Sequence, residues 1–197
     1  MWELICHHTY RWEGRPVDIS RYNNSADASG GTFLTDGAAP GSGAWRFFTP
    51  HGRVHISGSA FNPLVAIKVE LTVRLTEPST GSQTLIEADN SFGVFVRDQK
   101  LFGYFVGKSI YPGMNSDGLN TYQDGMEFPG YRVPYGGWAV ITFLHDGFSQ
   151  MRLFVAGVPV TVARSVLAGV PPVGPRGISV GNDLSGGAPF GGDIDEV

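Results

Sequence analysis

The sequence predicts an all-β chain folded as two antiparallel sheets packed face to face, and three observations carry that prediction. First, Tyr135 to Val160 (YGGWAVITFLHDGFSQMRLFVAGVPV) holds two β-branched and aromatic runs, Trp138–Leu144 and Met151–Val155, on either side of Asp146-Gly147. Asp-Gly supplies the positive φ of a tight turn, so the segment is a β-hairpin. A second turn at Ala156-Gly157 feeds Val158–Ala163, and the resulting meander must bury its apolar face on another layer. Second, Leu64–Thr76 (LVAIKVELTVRLT) alternates strictly, with Val65, Ile67, Val69, Leu71, Val73 and Leu75 on one side and Lys68, Glu70, Thr72 and Arg74 on the other. That is a strand with one wet face. Third, glycine (28) and proline (13) make about a fifth of the 197 residues, and charged residues are only 16%. Against averages of about 12% and 25%, many short strands joined by uncharged turns are indicated.

In chain order, Trp2–Tyr10 is expected as the first strand, with Trp2, Leu4, Cys6 and His8 on one face and His7 on the other. Strand neighbours diverge, so at most two of Cys6, His7 and His8 can meet on one ion, and ordinary packing is the expectation. Residues 15–29 (RPVDISRYNNSADAS) form a polar, turn-rich loop in which Asp18, Asn23, Asn24 and Asp27 offer oxygen ligands. Short strands follow at Thr32–Thr35, Trp45–Phe48 and Arg53–Ser57. Beyond the long strand come Thr84–Ala88, Phe92–Val96 and Leu101–Val106, with turns at Asp89-Asn90 and Asp98–Lys100.

Lys108–Val133 then loses periodicity (KSIYPGMNSDGLNTYQDGMEFPGYRV), and unpatterned stretches of this length are commonly functional. Its Tyr111, Tyr122 and Tyr131 offer stacking faces, and Asn115, Asn120, Gln123 and Asp124 offer hydrogen-bonding groups. Within the meander, Trp138, Val140, Thr142 and Leu144 share one face, and Trp138 is expected to close the end of the core. After the meander come a proline-rich turn at Val170–Pro175, a strand at Arg176–Gly181, and NDLSGGAPFGGDIDEV.

Composition narrows the partners. The net charge is −4 with no basic run, which gives no electrostatic support for nucleic acid or an anionic membrane surface. No apolar stretch approaches the roughly 20 residues of a membrane-spanning helix. Cys6 is the single cysteine, so no internal disulfide forms. The start, MWELICHHTYRW, lacks the basic and long apolar regions of a secretory signal.

Three segments in order, the Trp…Phe-Leu-His-Asp-Gly…Leu-Phe-Val-Ala-Gly hairpin of Trp138–Gly157, ISVGND at Ile178–Asp183 and FGGDIDEV at Phe190–Val197, resemble the laminin-G-like, concanavalin-A-like lectin/glucanase superfamily. DISRYNNSA at Asp18–Ala26 is similar, less closely, to an early loop of its members. The resemblance implies one jelly-roll domain over residues 1–197, with first and last strands adjacent, and favours an extracellular or surface-associated setting. It also implies a structural Ca²⁺ held by Asp195 in the last strand and Asp18 in the early loop. Two departures stand out: Ala156 replaces the aspartate common in the second turn, and the chain stops at Val197 where relatives continue.

The fold supports lectins, glycosidases, lyases and structural modules alike. Glycoside hydrolysis needs two carboxyls about 5–9.5 Å apart, and Glu87-Ala88-Asp89 at a strand end is the nearest candidate pair. Tyr104–Tyr111 echoes one lyase strand without its partner motifs. The sequence contains no complete catalytic set, so the expectation is a non-catalytic module. It would bind glycan through the aromatic stretch 108–133, without nucleic acid or membrane insertion. An interaction subunit of a larger assembly, such as an appendage, virion or surface protein, is the alternative, and a polysaccharide-cleaving enzyme comes third.

Overall fold

A computed structural model describes residues 6–10, 15–47, 49–57, 61, 64–76, 81–105, 126–148, 150–164, 170 and 172–197. Among the described residues sixteen strands run in order: β1 (His8–Thr9), β2 (Val17–Asp18), β3 (Ser25–Ser29), β4 (Gly31–Leu34), β5 (Ala44–Phe47), β6 (Arg53–Ser57), β7 (Ile67–Leu75) and β8 (Ser82–Ala88). They continue with β9 (Phe92–Arg97), β10 (Lys100–Phe105), β11 (Met126–Arg132), β12 (Ala139–His145), β13 (Gln150–Val155), β14 (Val158–Arg164), β15 (Ile178–Val180) and β16 (Gly192–Glu196). They form two antiparallel sheets. One follows the order β14-β13-β12-β7-β16-β1-β2, with β5 also on β16 and β4 on β5. The other follows β11-β10-β9-β8-β15-β6-β3.

The expected meander is β12-β13-β14, and β7 pairs along the whole of β12. Ile67, Val69, Leu71, Val73 and Leu75 are buried in alternation, while Val65 precedes the strand and is 75% exposed. Between the sheets Phe143 of β12 meets Phe92 of β9 and Phe105 of β10 at ring-centroid distances of 6.3 and 5.1 Å. Gly103 lies under that contact, where a Cβ would come within 2.7 Å of the Phe143 ring. Truncating a buried phenylalanine of this kind costs about 3–5 kcal/mol. The first and last strands are adjacent: His8 N–H donates to the Val197 carbonyl at 2.9 Å, and Val197 N–H donates to the His8 carbonyl at 3.2 Å. Among the described residues no helix is long and apolar enough to cross a membrane.

Four expectations need correction. The first strand spans His8–Thr9, and residues 1–5 lie outside the described set. The polar stretch 15–29 contains β2 and β3; Ala26 and Ala28 pack on the core while Ser25, Asp27 and Ser29 face out. The segment 108–133 ends in β11, an edge strand that carries Pro129 with a register irregularity opposite Lys100–Phe102. Edge position and irregular pairing are where a strand proline is tolerated. Finally, Trp138 does not close the core. Alternation groups it correctly with Val140, but the buried face of β12 is Ala139, Ile141, Phe143 and His145. Trp138 is half-buried on the outer face, with the Arg74 guanidinium 4.5 Å above its ring.

Candidate functional site

The outer face of the seven-stranded sheet carries the densest recognition chemistry among the described residues. In β9 the pleat buries Phe92, Val94 and Val96 and turns Gly93, Phe95 and Arg97 outward. In β10 Leu101, Gly103 and Phe105 point inward, leaving Phe102 and Tyr104 outside. Asp98 and Gln99 both take positive φ, closing a two-residue turn that pairs Arg97 with Lys100 and therefore Phe95 with Phe102. The two rings stack at 4.9 Å with planes 3° apart. Arg97 sits over both, 5.4 and 5.7 Å from their centres, and its Nε donates to Ser82 Oγ at 2.8 Å.

Two residues along, Tyr104 pairs with Gly93, and Gly93 pairs with Glu87 of β8. The tyrosine ring lies across the glycine, since a Cβ on Gly93 would fall 2.4 Å from the ring carbon. Its hydroxyl donates to Glu87 Oε1 at 3.2 Å, and Glu87 Oε2 accepts from Leu184 N–H at 2.6 Å. The same cross-strand row continues through Ser179 and His55 to Asp27. Ser179 Oγ is buried with no hydrogen-bond partner among the described residues, and His55 Nε2 meets the Arg176 carbonyl at 2.7 Å. Flat ring faces therefore adjoin a line of carboxylate, hydroxyl and imidazole groups.

The sequence-predicted residues distribute differently. Tyr111, Asn115, Asn120, Tyr122, Gln123 and Asp124 lie outside the described residues, in the connection from β10 to β11. Tyr131 falls within β11, its side chain outside the description. Asp89 turns from the row: its buried carboxylate accepts from Arg176 through Nε at 3.0 Å, Nη2 at 2.7 Å and the backbone N–H at 3.1 Å. Burial raises the Asp89 pKa, and these Arg176 contacts outweigh it, holding the carboxyl below its ordinary value.

Asp18 and Asp195 belong to separate hydrogen-bond networks. Asp18 Oδ1 accepts from the backbone N–H groups of His7 and Ser20, each at 2.9 Å. Its Oδ2 accepts from Ser20 Oγ at 2.9 Å and from Asn24 N and Nδ2 at 2.6 and 2.7 Å. Asp195 is the extra residue of a β-bulge, between Ile194 opposite Val73 and Glu196 opposite Thr72. Its Oδ2 accepts from Ala38 N–H at 2.6 Å and Ser42 Oγ at 2.7 Å. These described neighbours supply mainly N–H donors, whereas calcium takes six to eight oxygen ligands. The donor set does not fit that ion.

Residues 49–197 match the family model of the concanavalin A-like lectin/glucanases superfamily. The chain belongs to that superfamily. No curated protein matches it in sequence. Similar solved structures include the binding domain of botulinum neurotoxin serotype G, with a TM-score of 0.66, 12% identity and 98% of this chain covered. Another is a botulinum neurotoxin type C structure whose cell entry depends on two ganglioside molecules (TM-score 0.61, 11% identity, 96% covered). A third is the binding domain of neurotoxin DC in complex with SialylT (TM-score 0.64, 11% identity, 98% covered). The chain spans less than half of each, covering 47, 42 and 45% of their lengths. At these identities the likeness establishes the superfamily's two-sheet architecture.

The sequence reading missed the Phe95–Phe102 pair. The available signal was the Asp98-Gln99 turn: a two-residue loop fixes the register, which sets the two phenylalanines opposite each other.

Proposed function

We propose that this chain is a glycan-recognition module whose binding surface is the outer face of β8, β9 and β10, extended by the tyrosine-rich connection to β11. The carrying observation is the parallel, stacked Phe95–Phe102 pair, with Phe102 half-buried at the surface, beside the Tyr104–Glu87 hydrogen bond. Sugar rings present C–H faces that pack on aromatic planes, and hydroxyls that donate to carboxylates and accept from phenols. Tyr111, Asn115, Asn120, Tyr122, Gln123, Asp124 and Tyr131 belong to the same proposal as the flanking contacts. Support comes from superfamily membership and from structural neighbours that engage gangliosides and a sialylated ligand.

Glycan-array screening followed by calorimetric titration tests the reading. A bound glycan class whose affinity falls at least tenfold in Phe102→Ala and in Glu87→Gln is the expected result. Binding that survives both changes but is lost in Tyr122→Ala would confine the site to the connection. No binding to any polysaccharide class overturns the proposal. Each titration is run with Ca²⁺ and with chelator, and equal affinity is expected, since the N–H-rich surroundings of Asp18 and Asp195 do not suit calcium.

A further inference from the structure

We propose that Cys6, His8 and Asp18 form a binding site for one divalent transition-metal ion, with Zn²⁺ the ion that fits. His8 and Asp18 are direct partners in the β1–β2 register, so their side chains leave the same face. Cys6 precedes His8 by two residues and shares that face. One ligand atom from each of the three lies within 4.8 Å of the others. Ligands on a tetrahedral zinc stand roughly 3.4–3.7 Å apart for bonds of about 2.0–2.3 Å. Small side-chain rotations therefore close the set.

The second observation is His8 itself. The residue is 0% exposed, yet among the described residues neither Nδ1 nor Nε2 has a hydrogen-bond partner. Buried polar atoms are ordinarily paired, and an orphaned one costs about 1–3 kcal/mol. A metal ion accepts the lone pair of a neutral imidazole and removes that penalty.

Asp18 is held as an anchored ligand would be. Five hydrogen bonds fix its carboxylate, and binding of the ion displaces the Ser20 side chain, the one hydroxyl donor among them, from Oδ2. The mixed sulfur, nitrogen and oxygen set selects zinc-like ions over calcium, which takes oxygen alone. Coordination forms a metal–sulfur bond as the Cys6 S–H bond breaks, and the proton leaves to solvent. His7, on the opposite side of the strand, lies 3.8 Å from Glu196 and takes no part.

The test uses the full chain, stripped with chelator and then titrated with Zn²⁺ and separately with Co²⁺. One ion per chain is expected, together with a thiolate-to-cobalt charge-transfer band and release of one proton in calorimetry run in two buffers. Cys6→Ser, a one-atom change at a half-buried position, should erase that band and weaken Zn²⁺ binding at least tenfold. His8→Gln should also weaken it, while His7→Gln should leave band and affinity intact. If His8→Gln does not fold, Cys6→Ser alone decides. Sub-stoichiometric binding, a cobalt spectrum without the thiolate band, or an unaltered Cys6→Ser each overturns the proposal.

Discussion

The two sheets of this sandwich treat their outer faces in opposite ways. On the nine-stranded sheet the centre is Asp193, a fully buried carboxylate between two arginines. Arg46 grips it through Nε at 2.7 Å and Nη2 at 3.0 Å, and Arg74 through Nε at 2.8 Å and Nη2 at 2.7 Å. Because Arg46 is on β5, Asp193 on β16 and Arg74 on β7, the network clamps three strands together. Arg74 then covers Trp138. Beyond this cluster, Lys68 pairs with Glu70. The charges of these pairs are satisfied by one another. The seven-stranded sheet instead places Phe102, Tyr104 and Glu87 partly exposed on its outer face, with Phe95 buried against Phe102 and Arg97. The first face is closed on itself, and the second is the one proposed above to recognise glycan.

Asp193→Ala should show the largest stability effect, because it leaves two guanidinium groups without their shared anion. A loss of about 3 kcal/mol in urea unfolding is expected, with glycan affinity per folded molecule unchanged. Trp138→Ala on the same face should cost about 1–2 kcal/mol, below the 3–5 kcal/mol of a core aromatic. A loss in the core range would restore the tryptophan to the interior. Phe102→Ala inverts the pattern, with about 1 kcal/mol of stability lost from the ring pair and at least a tenfold loss of glycan affinity. Were the stability loss large and binding untouched, the two faces would not divide the work as described.

The Asp89–Arg176 pair carries a pH signature. Asp89 titrates below its ordinary value of 3.8 in the folded chain, so the unfolded chain binds the extra proton first. Its contribution is fully present above that ordinary value and is lost as pH falls through the depressed one. Asp89→Asn should therefore flatten the acid limb of a stability–pH profile measured by urea midpoints. The smallest effect belongs to Ala156, a non-glycine residue at φ 49 beside Gly157 at φ 76. Asparagine tolerates the left-handed region better, and Ala156→Asn should raise stability by about 0.5–1 kcal/mol in the same assay.

Strands with strong alternation were legible almost to the residue. β6 matches its expected span, and β7, β9, β12 and β13 differ from theirs by one to three residues at an end. β3 escaped because SADAS has only two alanines on its inner face, and its pairing depends on the stronger apolar partners Val54 and Ile56 in β6. β11 escaped because Pro129-Gly130 suppresses strand propensity, which edge position tolerates. Trp138 shows the limit of periodicity, which groups residues by face without saying which face meets the other sheet. The candidate surface was half legible: its hairpin turn is visible in the sequence, whereas the row from Glu87 through Ser179 to His55 joins strands far apart in the chain. The Cys6–His8–Asp18 set needed the β1–β2 register, which a polar loop reading of residues 15–29 conceals.

The β1–β16 contact has a mechanical consequence. The strands are antiparallel, and the His8–Val197 pair of hydrogen bonds lies where both leave the sheet on the same side. A tensile load applied between residue 6 and residue 197 pulls along the direction of those bonds, perpendicular to the strands. Such loading opens a ladder one rung at a time, like a zipper, instead of shearing all rungs together. The β1–β16 contact is thus a compliant seam, which yields to tension before the β7–β12 ladder at the centre of the sheet bears any load.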